Sequence, residues 1–144
     1  MANIEEAQEW QKLADMDLST AVYLTDMHPP PIEIICYHCQ QSAEKYLKGY
    51  LVFCGTVPPR VHDLDELCKL CLKYSSVFKN IADQCSDLTA YGVQPRYPME
   101  IILEIEDMQK ALDSAKTVKG FVTDIIKAEI EQEKKQTESK KPDE

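Results

Sequence analysis

Apolar residues recur along this chain at intervals of three and four, the spacing of helices that bury one face. From about Ile4 to Met27, residues Trp10, Leu13, Ala14, Leu18, Ala21 and Leu24 project onto one side, and Asp17 falls inside that apolar arc. Asn3 followed three residues later by Glu6 is a capping-box-like start. His28-Pro29-Pro30-Pro31 ends the helix, because each proline lacks an N–H and disfavours the α region in the residue before it.

A second helix is expected over about Ile32 to Cys54, with Ile32, Ile35, Cys36, Cys39, Ala43, Tyr46, Leu47 and Tyr50 on a broad apolar face. His38, Gln41, Lys45 and Lys48 form a narrow polar stripe on the opposite side, with Glu44 at its edge. Ile34 and Val52 lie on nearly the same line at the two ends of the stripe, which predicts partial cover there too. Gly55 supplies the stop.

Asp63 and Glu66 open a short helix to about Tyr74, with Leu67, Leu70 and Cys71 inward. The pattern of Phe78, Ile81, Ala82, Cys85 and Leu88 predicts a fourth helix over about Val77 to Tyr91. After a proline-bracketed loop, Gly92 to Pro98, a long last helix is expected from Met99, with Ile101, Ile105, Met108, Leu112, Ala115, Val118, Val122 and Ile125 as its seam. From Glu131 the chain has no apolar anchor. The expected organisation is one domain over residues 1–130 and a charged, disordered tail over 131–144. With no β alternation, the fold class is all-α, an antiparallel up-and-down bundle of roughly four to five helices.

Charge narrows the choice of partner. The 25 acidic and 16 basic residues leave a net charge of −9, which disfavours general nucleic-acid binding. No apolar run is long enough to cross a membrane, and the acidic stretch Met1 to Trp10 is unlike a secretory signal. A cytoplasmic setting with reduced thiols is therefore expected for the six cysteines. Cys36-x-x-Cys39 and Cys68-x-x-Cys71 invite a zinc site. Cys36 and Cys39 lie on the apolar arc, however, and no knuckle glycine or proline surrounds either pair, so no metal is expected. Glycine-rich phosphate loops, serine-nucleophile elbows and metalloprotease helices are missing, and no standalone enzyme is legible.

Three segments together resemble the HEPN domain family (higher eukaryotes and prokaryotes nucleotide-binding). They are Ala14-Asp-Met-Asp17-Leu18-x-x-Ala21, then His38-Cys-Gln-Gln41-Ser-Ala-Glu44-Lys45-Tyr-Leu-Lys48 with His62-Asp63-Leu64-x-x-Leu67, and Tyr91-Gly-Val-Gln-Pro-Arg96-Tyr97-Pro98. The resemblance implies a helical bundle that commonly forms a homodimer and pairs with a minimal nucleotidyltransferase in a two-protein, toxin–antitoxin-like module. It also implies nucleotide binding, with ATP or GTP as possible ligand and no required cofactor. Many members are ribonuclease toxins that carry an arginine followed a few residues later by a histidine. This chain departs there: its only arginines are Arg60 and Arg96, and the sole histidine after either, His62, stands two residues past Arg60.

The candidate nucleotide or anion site is His38, Gln41, Lys45, Lys48, His62, Arg96 and Tyr97, with Asp17 as a supporting ion-pair partner and no catalytic residue. Arg96 beside a helix start offers donors and a favourable dipole to phosphate; alternatively it neutralises Asp17 while Tyr97 plugs the bundle end. The lysine stripe either holds phosphate or is a solvated helix face. His62 either contacts a ligand or simply precedes the capping Asp63. Two other functions remain open: a ribonuclease toxin using His38 or His62 with Arg96 and Tyr97, and a purely structural assembly subunit.

Overall fold

The computed structural model describes residues 3–92 and 102–139, and among them all regular structure is helical. The elements are α1 (Ile4–Leu24), α2 (Ile32–Phe53), α3 (Leu64–Leu72), a 3₁₀ turn (Ser76–Ile81), α4 (Ala82–Thr89), a second 3₁₀ turn (Ala90–Gly92) and α5 (Ile105–Ser139). The helical-bundle fold expected from the periodicity is the fold observed.

Local chemistry sets most of the boundaries. The Asn3 side chain accepts from the Glu6 N–H at 3.1 Å and donates to the Glu6 carboxylate at 2.7 Å. Asp63 accepts from the N–H groups of Asp65 and Glu66, opening α3. At the end of α2, Gly55 takes φ 85° while Thr56 N–H reaches back to Leu51 O and Gly55 N–H to Val52 O, a Schellman closure.

Helix α2 is the axis of the molecule and packs against α1, α3, α4 and α5. Its pairing with α1 is the most extensive, because both helices present small residues. Ala7, Ala14 and Ala21 repeat every seven positions on the buried side of α1. Ser42 donates to the Ala14 carbonyl at 2.9 Å, and a Cβ on Gly49 would stand 3.0 Å from the Trp10 Cβ. Around α2 the core is aromatic at one end, where Phe78 lies 4.5 Å from Tyr50 and 5.0 Å from Phe121, centroid to centroid.

The structure corrects three expectations. Leu13, expected inward, is 48 % exposed; the buried arc of α1 is centred on Ala7, Ala14, Leu18 and Ala21, roughly a third of a turn away. The fourth helix is broken: Phe78 and Ile81, three apart, both point inward from the Ser76–Ile81 turn, as the 3₁₀ period allows, and α-geometry begins only at Ala82. Among the described residues the last helix begins at Ile105, because the Asp107 carboxylate accepts the Glu104 N–H at 2.8 Å and the Asp107 N–H bonds the Glu104 carbonyl, which makes Glu104 the cap; Met99 and Ile101, expected in its first turn, lie outside the described residues. Ile102 and Ile105 are exposed as a result. From Glu131 the described residues continue α5 as an exposed helical extension through Ser139, and the rest of the tail lies outside the described residues.

Candidate functional site

The sequence left open whether the polar stripe of α2 is solvated. It is covered: Gln40, Glu44 and Lys48 are buried, and His38, Gln41 and Lys45 are half-buried. Two carboxylates organise these side chains. Asp17, on α1, lies 3.0 Å from His38 Nδ1 and also accepts from Lys45 Nζ. Glu44, on α2, accepts from Lys48 Nζ at 3.2 Å and from Gln40 Nε2 at 3.3 Å, and lies 2.9 Å from His62 Nδ1.

A run of amides ties the cluster to the loops. Gln41 Nε2 donates to Gln40 Oε1 at 2.7 Å, and Gln40 Nε2 also donates to the His62 carbonyl at 3.0 Å. Gly92 lies directly on the Gln40 side chain, where an added Cβ would sit 3.1 Å from the amide carbon. A Cβ there would press on the fully buried Gln40 amide, which would have to give by a few tenths of an ångström.

Each carboxylate is thus shared between one lysine and one histidine. In both pairs the imidazole uses Nδ1, so these contacts do not engage Nε2. His62 is the more open of the two, with a side chain 67 % exposed. The lysine charges are balanced locally, so any anion would have to share Lys45 with Asp17 or Lys48 with Glu44. The cluster is therefore an array of paired charges and hydrogen-bonded amides, with His62 its most exposed member.

Of the expected site residues, Asp17, His38 and Lys45 come together, and Lys48 and His62 meet through Glu44. Gln41 joins through Gln40. Arg96 and Tyr97 lie outside the described residues. Asp17 has ion-pair partners on α2, Lys45 and His38. Gln40 and Glu44 were missed as site residues. Their signal was the ridge Gln40, Glu44, Lys48 at intervals of four, which runs from Cys36 at one end to Val52 at the other.

The cysteines form no comparable site. All are free thiols, buried apart from the half-buried Cys54, and among the described residues no group of three or more histidine, cysteine or acidic side chains is placed to hold a metal. Burial pushes the thiols of Cys36 and Cys39 up to about 12. Cys71 Sγ donates to the Leu47 carbonyl and Cys68 Sγ to the Phe78 carbonyl.

The family model of the HEPN domain matches residues 7–126. The chain belongs to the HEPN family. Two solved structures share the fold of this HEPN chain. TT1696 from Thermus thermophilus is 21 % identical with a TM-score of 0.71, the match covering 83 % of this chain and 97 % of that one. ST0689, described as an archaeal HEPN homologue, is 24 % identical with a TM-score of 0.65, covering 84 % and 98 %. No curated protein matches the chain. Among the described residues of this HEPN bundle, no helix is long and apolar enough to cross a membrane.

Proposed function

We propose that this HEPN chain is a nucleotide-binding and regulatory module that acts with a minimal nucleotidyltransferase in a two-protein, toxin–antitoxin-like system. The observation that carries the reading is the covered polar cluster on α2. Burying Glu44 and Lys48 beside Asp17, His38, Lys45 and Gln41 costs folding free energy that an apolar ridge would not, and such an arrangement is expected where it serves recognition. Lys45 and His62 stand at the rim and would meet the phosphates of ATP or GTP; Gln41 and His38 would hydrogen-bond a base or ribose edge. Arg96 and Tyr97, which lie outside the described residues, belong to the same reading through the resemblance alone. The role is recognition by positioned donors, without bond-breaking by this chain and without a required cofactor.

Calorimetric titration with ATP and GTP, and gel filtration with a minimal nucleotidyltransferase, test the two halves of the reading. Saturable nucleotide binding that is lost in Lys45→Ala, and co-elution with the partner, are the expected results. Failure of both sinks the proposal.

One observation favours a second reading. The Glu44–His62 pair presents an oriented imidazole with an exposed edge, the form of a general base. A ribonuclease of non-standard site would use it. Growth arrest on expression, abolished by His62→Ala, would select this alternative.

A further inference from the structure

Helices α3 and α4 pack on one another, and a hydrogen bond fixes their register at one end. The N–H of Leu64, the first residue of α3, donates to the hydroxyl of Thr89, the last residue of α4, at 2.9 Å. One helical turn in from that bond, Cys68 of α3 comes opposite Cys85 of α4. Both side chains point into the core, 3 % and 0 % exposed. Packed helices have axes about 8–10 Å apart and Cα atoms at a radius of about 2.3 Å, so facing Cα atoms stand roughly 4–6 Å from one another. That is the separation a disulfide spans.

The contacts of the two thiols agree with this register. Cys68 Sγ donates to the Phe78 carbonyl at 3.6 Å, in the turn that leads into α4, and its sulfur is hydrogen-bonded to the Cys85 thiol. That bond holds the Cys68 thiol below its ordinary value and pushes Cys85 up. The neighbouring Cys71 is turned elsewhere, to the Leu47 carbonyl of α2 at 3.7 Å.

We infer that Cys68 and Cys85 are a site of oxidative modification, a dithiol that oxidants of the hydroperoxide class convert to a disulfide joining α3 to α4. The inference is independent of the nucleotide reading.

The chemistry follows from the arrangement. The Cys68 thiolate attacks one oxygen of hydrogen peroxide, the O–O bond breaks, and the other oxygen leaves as hydroxide and takes up a proton. Cys68 is then a sulfenic acid. The Cys85 sulfur attacks it, an S–S bond forms as the S–O bond breaks, and the departing hydroxide takes the Cys85 proton. Two thiols lose two electrons and one peroxide is reduced to two molecules of water. Oxidant reaches the pair by local opening, which costs least in short elements: α3 has nine residues and α4 has eight.

Both ends of the α3–α4 pair meet at Gln40. The His62 carbonyl, just before α3, accepts from Gln40 Nε2 at 3.0 Å, and Gly92, in the turn after α4, lies against the same amide. A covalent tie between the two helices therefore joins the two segments that bracket Gln40, and the thiol redox state is felt at the polar cluster.

Peroxide treatment of the intact, reduced chain followed by alkylation and peptide mass mapping tests the inference. Trypsin cuts after Lys69, Lys73 and Lys79, so Cys68, Cys71 and Cys85 fall on separate peptides. The expected result is a mass loss of about 2 Da, reversed by dithiothreitol, with the Cys68 and Cys85 peptides linked in at least about 10-fold excess over any other pair. The Gln40 side-chain amide should shift in ¹⁵N spectra on oxidation. Cys85→Ser should leave the Cys68 peptide carrying added oxygen in place of the link, while Cys36→Ala with Cys39→Ala should leave the link intact. Absence of a Cys68–Cys85 link in the folded protein overturns the proposal, and so does a map dominated by links through Cys71, Cys36 or Cys39. Should Cys85→Ser lose its helical circular dichroism, the linkage map of the wild-type chain decides alone.

Discussion

Glu44 and Lys48 face each other across one turn of α2, Oε2 to Nζ 3.2 Å, with both side chains less than a tenth exposed. A buried ion pair is weak as a source of net stability, because its attraction is offset by the loss of hydration. Removing one partner is a different matter, since the other charge is then stranded.

Glu44→Ala should therefore destabilise the fold by about 3–5 kcal/mol, since it strands Lys48 and also frees His62 and Gln40. The double variant Glu44→Leu with Lys48→Met should recover most of that loss. Urea denaturation of the three proteins checks this. A single variant as stable as the wild type would mean that the cluster is not buried in solution.

The α1–α2 contact depends on Gly49, whose absent side chain makes room for Trp10. Gly49→Leu should cost roughly 1–3 kcal/mol through overpacking, despite leucine's better helix propensity. Gly120, with open space around it, is the comparison: Gly120→Ala should stabilise α5 by up to about 1 kcal/mol. Thermal unfolding of both variants would show midpoints shifted in opposite directions.

Alkaline conditions should weaken the fold through its thiols. Burial holds Cys36 and Cys39 protonated up to about 12, whereas an exposed thiol ionises near 8.5. Between those values the folded state binds more protons than the unfolded state, so stability is fully present below about pH 8.5 and is lost as pH rises toward 12. The slope is at most about 1.4 kcal/mol per pH unit for each thiol. Denaturation midpoints measured under reducing conditions at increasing pH should fall accordingly, and should fall less steeply in a Cys36→Ala, Cys39→Ala protein. A midpoint indifferent to pH in this range contradicts the burial of both thiols.

The helical fold was legible because periodicity and caps agree in most of the chain: Asn3, Asp63 and Gly55 all act as their sequence context suggests. The errors fall where tertiary contacts override pattern. Leu13 satisfies the period of α1 but lies beyond the arc that α2 and α5 cover, so it faces out. Ile105 continues the seam of α5 in sequence, yet the Asp107–Glu104 bond opens the helix there and leaves it exposed. Within the site, Gln41 drew notice because it aligns with His38 and Lys45. The buried amide is its neighbour Gln40, whose role depends on a distant glycine, Gly92, and on the His62 carbonyl. No spacing along the chain encodes a contact between segments so far apart.

The position of a bound nucleotide tests the functional account most directly. In a ¹⁵N-labelled sample titrated with ATP and then GTP, the account predicts saturable shifts centred on His38, Gln41, Lys45 and Lys48 of α2 and on His62, abolished in Lys45→Ala. Shifts confined to other helices, or none at millimolar nucleotide, would contradict it and leave the α2 cluster as a structural feature of the bundle.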